Sequence, residues 1–200
     1  MANAQDGITR LINRVKQIQE WNQALTNTCK DLQDQIYALD QYIRRENVEI
    51  HNIPDRITQE DLEPYVLRIF ECMGIKDISS YSIAACHRLA PRPGLQSKPV
   101  IIRFVNRKDA QTIRQFKYTL RTKAMPFDNL YITENLIRPR RCFYEKLREM
   151  KRHNEISECW TYNGKIMFRD THSPNEKPKC IQTLADINKY FRKKKKSMPK

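Results

Sequence analysis

Glycine is scarce in this chain, with four in 200 residues, at positions 7, 74, 94 and 164. No two are close enough to cradle a phosphate, which argues against a P-loop or a dinucleotide fingerprint. The six cysteines, at 29, 72, 86, 142, 159 and 180, are scattered and form no Cys-x-x-Cys. They read as reduced thiols in apolar positions rather than as a disulfide framework or a zinc site. No apolar run approaches the roughly 20 residues a membrane-spanning helix needs. Met1 to Gly7 is polar and lacks the apolar centre of a signal peptide. The expectation is a protein without membrane insertion, inside the cell, in cytoplasm or nucleus. No Ser/His/Asp or Cys/His arrangement stands out, and adjacent Cys86 and His87 point to opposite faces of a strand. No catalytic residue, metal ligand or cofactor is assigned, and an enzyme is not expected.

Positive charge is plentiful. The net charge is +14, but it is unevenly spread. Residues 1–43 hold 4 basic and 5 acidic side chains (net −1), residues 44–135 hold 15 and 11 (net +4), and residues 136–200 hold 18 and 7 (net +11). A basic second half attracts polyanions, nucleic acid first, then acidic proteins or anionic membrane surfaces.

The first segment repeats in heptads. With Ile8 at position a, the a positions are Ile8, Val15, Asn22, Cys29, Ile36 and Ile43, and the d positions are Leu11, Ile18, Leu25, Leu32 and Leu39. The register runs unbroken with no Pro or Gly inside, which predicts a coiled coil over residues 1–46. Branched residues at a with Leu at d favour two parallel strands, and Asn22 would fix their register. Ile18 at d and the sparse opposite charges at e and g keep a trimer equally open. The alternative is one amphipathic helix packed on its own domain, but the stripe is narrow for that.

At Arg44 to Pro54 the period changes. Val48 to Ile53 alternates at period two and stops at Pro54. A helix follows, with Asp61 as N-cap, Pro64 in its first turn, an apolar face of Leu62, Val66, Ile69, Phe70 and Met73, and Gly74 as its stop. Ser82 to Leu89 reads as a second strand, Pro91 to Gly94 as a loop and Val100 to Val105 as a third strand. Asn106 to Asp109 opens a second helix in the manner of a capping box, and Leu130 to Ile132 is a fourth strand. The order over residues 47–135 is βαββαβ, that of ferredoxin-like and RRM-like domains. The third strand carries no paired aromatics, so two-base stacking of the usual kind is not expected. Nucleic-acid contacts on this sheet would come from Arg88, Arg103 and His51, with Arg44 and Arg45 at the junction. A solvated sheet face with salt-bridged arginines is the plainer alternative.

Residues 136–191 read as a small basic domain of helix, hairpin and helix. Pro139 suits a helix first turn, with Phe143, Leu147 and Met150 inward and Arg138, Arg140, Arg141, Arg148 and Arg152 outward. Asn163-Gly164 between alternating strands predicts a two-residue hairpin pairing Tyr162 with Lys165 and Trp160 with Met167. Cys159, Thr161, Ile166 and Phe168 then face the core, while Trp160, Tyr162, Lys165, Met167 and Arg169 share the other face. Aromatics interleaved with cations suit a single-stranded nucleic acid, unless Trp160 anchors a small core instead. Thr183 to Phe191 is a short last helix. The tail 192–200 is Lys-rich, and reads as an import signal, a phosphate-binding arm or a solubilising disordered end.

Three motifs carry a family resemblance. Arg-Arg-x-Asn-x-x-Ile-x-x-Ile-Pro at 44–54, Cys-His-Arg-Leu at 86–89 and Lys-Pro-Val-Ile-Ile-Arg-Phe at 98–104 resemble the first open-reading-frame proteins of LINE-type retrotransposons. The later part, from Phe143 to Leu147 and from Trp160 to Ile166 and on to Tyr190, is similar to the few-polyhedra (FP) protein family of baculoviruses. The resemblance implies an α+β chain, with a coiled coil, an RRM-like domain and a compact tail domain. It implies self-association and non-enzymatic binding of single-stranded RNA or DNA. On the FP side it implies a role in virion occlusion and traffic, with virion proteins as partners. Arg44, Arg45, Arg88 and Arg103 match positions of the pattern.

Overall fold

The computed structural model describes residues 2–92, 94, 97–122, 129–170, 177–181, 183, 186, 187, 189 and 190, and for 2–4, 121 and 122 the backbone alone. The fold is mixed α and β, a long N-terminal helix followed by antiparallel sheets. The chain divides into two units, Met1–Leu39 and Asp40–Lys200. Among the described residues no helix is long and apolar enough to cross a membrane.

The first unit is helical throughout its described length. Its helix α1 spans Ala2–Ile43, and its last turn belongs to the second unit. Along α1 the heptad positions Ile8, Leu11, Val15, Ile18, Leu25, Leu32, Ile36, Leu39 and Ile43 are all exposed, and so are Asn22 and Cys29. Leu25 is 63% exposed. In the single chain this stripe is uncovered.

In the second unit a four-stranded sheet is built from β1 (Asn47–His51), β2 (Ile83–Arg88), β3 (Val100–Phe104) and β4 (Tyr131–Glu134). Their order across the sheet is β2-β3-β1-β4, every neighbour antiparallel. The strands lie close to where the alternating pattern puts them. Asn52, in the left-handed region at φ 68°, ends β1. Helices α2 (Gln59–Cys72) and α3 (Arg107–Phe116) cover one face. Val48, Ile50, Val100, Ile102, Phe104 and Ile132 from the strands meet Leu62, Val66, Ile69, Phe70, Ala110 and Ile113 from these helices in one buried cluster. Each of these side chains except Ala110 contributes about 1.5–3 kcal/mol relative to exposure. A four-residue helical segment, α4 (Thr119–Thr122), follows α3.

Two helix starts differ from expectation. The N-cap of α2 is Thr58, not Asp61: its hydroxyl accepts from the Asp61 amide at 3.3 Å and donates to Asp61 Oδ2 at 2.8 Å. Asp61 therefore sits at the third helical position, with its amide and its carboxylate both bonded to the Thr58 hydroxyl. Pro64 consequently falls past the first turn, where its missing N–H leaves the Glu60 carbonyl without an intrahelical donor. At α3 the Asn106 side chain makes no capping bond.

The C-terminal half has its own core. Helix α5 (Arg138–Arg152) packs on a sheet of β5 (Glu158–Tyr162), β6 (Lys165–Arg169) and β7 (Lys179–Ile181), ordered β5-β6-β7. Phe143, Leu147 and Met150 face inward as expected, against Ile156, Ile166, Phe168 and Ile181. The hairpin register is the one Asn-Gly dictates, Tyr162 opposite Lys165 and Trp160 opposite Met167. Strand β7 has no signal in the sequence pattern, because three residues are too few to show a period. The expected last helix lies partly outside the described residues, though Thr183 and Asp186 exchange side-chain-to-amide bonds at its start. The expected Lys-rich tail, 192–200, lies wholly outside them.

Candidate nucleic-acid interface

Alternation along β1 turns Glu49 and His51 away from the helices, onto the face where a binding sheet would meet bases. Both are nonetheless buried, at 2% and 7% exposure. The cover is the chain's own. Arg92, from the β2–β3 connection, grips the Glu49 carboxylate with both terminal nitrogens, at 2.7 and 3.1 Å. Asn135 donates to the same carboxylate and accepts from Arg44 Nη1 at 2.9 Å. The His51 ring stacks on Tyr131, centroids 4.4 Å apart and planes 3° from parallel, and its Nε2 lies 2.9 Å from Thr133 Oγ1. Burial lowers the His51 pKa to about 4, with Glu49 opposing and Arg92 and Arg148 reinforcing. This part of the sheet is therefore closed to base stacking, and His51 does not face solvent.

The motif arginines divide by environment. Arg88, at 16% side-chain exposure, donates to the carbonyls of Ile53, Pro54, Ile57 and Lys98 and pairs with Asp55 at 3.3 Å. It ties the β1–α2 turn to β2, and its donors are committed. Arg44 is held by Asp40 at 2.7 Å and by Asn135. Arg103 stands 61% exposed, with Glu46 at 3.5 Å. Arg45 lies with its guanidinium 4.4 Å from the Tyr42 ring.

Arg45 is joined by two cations that the motif reading did not single out. Arg114 of α3 donates to the Arg45 carbonyl at 2.9 Å. Burial lowers the Arg114 pKa most, Glu134 opposes, and the charges of Arg107 and Arg45 add to the lowering. Arg107 and Arg114 are seven residues apart on one helix, hence on one face; that spacing was the available signal. Among the described residues none of Arg45, Arg107, Arg114, Arg138, Arg141 or Arg148 is ion-paired.

Arg140 corrects the expectation of an outward α5 arginine. It is 9% exposed and donates Nη1 to the Gly164 carbonyl at 2.7 Å. Burial lowers its pKa, and the nearby charge of Arg45 lowers it further, opposed by Cys180. Arg138 is exposed and Arg141 half-buried.

On the hairpin, Ile166 and Phe168 are fully buried while Tyr162 stands 63% exposed. Trp160 is half-buried on the outer face, outside the apolar cluster, with the Arg169 guanidinium 5.5 Å from its ring. Arg169 also bonds Glu158 at 2.6 Å. Lys165 is half-buried opposite Tyr162. The outer face thus carries an exposed phenol, an indole under a cation and a lysine, a combination that can stack bases and neutralise phosphates.

Among the described residues no group of three or more His, Cys, Asp or Glu could hold a metal ion. Cys86 packs against the core, and burial pushes its thiol up to about 12, away from the range of a nucleophile. No protein-family model matches the chain, and no match was found among the curated proteins.

Proposed function

We propose that this chain is a non-enzymatic, self-associating protein that binds single-stranded nucleic acid. The observation that carries the reading is the cation cluster Arg45, Arg107 and Arg114, none of them ion-paired among the described residues, near the turn of a hairpin whose outer face holds Trp160, Tyr162, Lys165 and Arg169. A phosphate backbone supplies ion-pair partners for these arginines, and bases stack on the aromatics. The β2-β3-β1-β4 order, with both helices on one face, supports reading residues 47–135 as a ferredoxin-like, RRM-like domain. The exposed heptad stripe of α1 supports a coiled coil of two or three copies. Both features agree with the resemblance to LINE first-open-reading-frame proteins and baculovirus FP proteins, and cytoplasm, nucleus or virion are the compartments that resemblance suggests.

The test is a filter-binding titration of the full chain on single-stranded RNA across salt. Log affinity should fall linearly with log salt, with a slope of about −0.7 per phosphate neutralised. A flat response, or no binding at low salt, overturns the reading.

A second reading has its own support. The closed sheet face, with Arg88 and Arg92 turned to internal partners, leaves this domain less basic than a dedicated binder. It favours a structural or trafficking protein acting through protein contacts with virion components. In that case charge reversal at Arg138 and Arg141 leaves function intact, and polar replacement of Leu25 and Leu32 abolishes it.

A further inference from the structure

A two-residue hairpin turn ordinarily points its amides at water. Here the Asn163-Gly164 turn is seated in the protein. Glu134, at the end of β4, accepts from the Asn163 amide at 3.1 Å and the Gly164 amide at 2.5 Å. The Gly164 carbonyl takes the Arg140 bond. Gln41, 4% exposed in the last turn of α1, donates to the Asn135 carbonyl and accepts from the Ile137 amide, both at 3.0 Å. A Cβ on Gly164 would come within 2.7 Å of Gln41 Cγ, and the residue's φ of 75° independently favours glycine. Three separate elements therefore meet on one turn.

The placement of Glu134 is costly for a polyanion binder. It sets a carboxylate beside the cation cluster and offsets charge the ligand would use. That cost is explained if the carboxylate fixes something the ligand needs. The turn is flanked directly by the Tyr162–Lys165 pair, and Glu134 also acts on Arg114.

Building on the proposed nucleic-acid reading, we propose that Glu134, Gln41 and Arg140 are positioning residues. They hold the Asn163-Gly164 turn so that Tyr162 and Lys165 stand at a fixed spacing from Arg45 and Arg114, and one nucleic-acid strand engages both sites at once. Two rigidly spaced weak sites raise each other's effective concentration only for a ligand long enough to reach both.

The experiment compares the full chain with Glu134→Gln on labelled oligouridylates of about 5 and about 20 nucleotides, lengths at or below and above a single-module site. Thermal unfolding and sedimentation check fold and assembly. Glu134→Gln should weaken the long oligomer about tenfold and leave the short one within about twofold. Removal of a negative charge by itself would tighten both, so the sign separates positioning from plain electrostatics. Gly164→Ala, which displaces Gln41 without altering charge, should give the same length-selective loss. Equal affinity, tighter binding, or equal losses at both lengths would overturn the inference while leaving the binding reading in place. No binding by the unaltered chain to either oligomer removes both.

Discussion

At the residue scale, Glu49 and His51 show how far burial departs from pattern. Each occupies an outward strand position, and each is buried because Arg92, Asn135 and Tyr131 arrive from other parts of the chain. The consequence for His51 is a pH dependence. Its pKa falls from the ordinary 6.5 to about 4 because burial disfavours the imidazolium; Glu49 beside it raises the value, while Arg92 and Arg148 lower it. Between those two values the unfolded chain binds the extra proton, so the contribution is full above about pH 6.5. It is lost as pH falls toward 4, by up to about 3 kcal/mol. Urea unfolding at pH 7 and pH 4.5 should show a smaller drop for His51→Gln than for the unaltered chain. An equal drop would mean that other groups carry the acid sensitivity.

At the element scale, α1 leaves nine large apolar heptad side chains exposed, the kind of stripe a coiled-coil partner covers in the proposed assembly. In a parallel, in-register coil the copies of Cys29 face one another at an a position. Mild oxidation should therefore cross-link the chains, reversibly with thiol, and Cys29→Ser should abolish the cross-link despite exposed Cys142 and Cys180. Absence of any Cys29-dependent cross-link rejects the parallel, in-register coil. The hairpin is the element that sequence reading resolved best. Asn-Gly fixes a turn with both residues at positive φ, 51° and 75°, and once the turn is fixed every cross-strand pair follows. Helix α2 starts one turn before the expected Asp61 because Thr58 is as good a cap, and Asp61 bonds the Thr58 hydroxyl from the third helical position.

At the scale of the whole molecule, the proposed binding gains affinity from repetition. In the proposed assembly each copy would bring its own cationic surface, and joined surfaces bind a long strand far more tightly than any does alone. Leu25→Asn with Leu32→Asn should yield monomers by light scattering. Their affinity for RNA of about 100 nucleotides should fall by a factor on the order of 100, with little change on an oligomer that fills one site. Unchanged affinity on the long RNA would detach binding from assembly.

What the sequence by itself determined is local: the heptad stripe, the order of strands and helices, the Asn-Gly register, the basic second half, and the inward Phe143, Leu147 and Met150. Each follows from a period or a turn preference spanning a few residues. What only the tertiary structure decided is which polar side chains are free. Arg88 reaches the Pro54 carbonyl, Arg44 reaches Asn135 and Gln41 reaches Ile137, across 34, 91 and 96 residues of chain. Arg140 and Arg138 read alike in the chain, yet one is buried on a turn carbonyl and the other is exposed. A charged group's role depends on whether a partner replaces its water, and that partner is brought by the fold from a distance no short pattern spans.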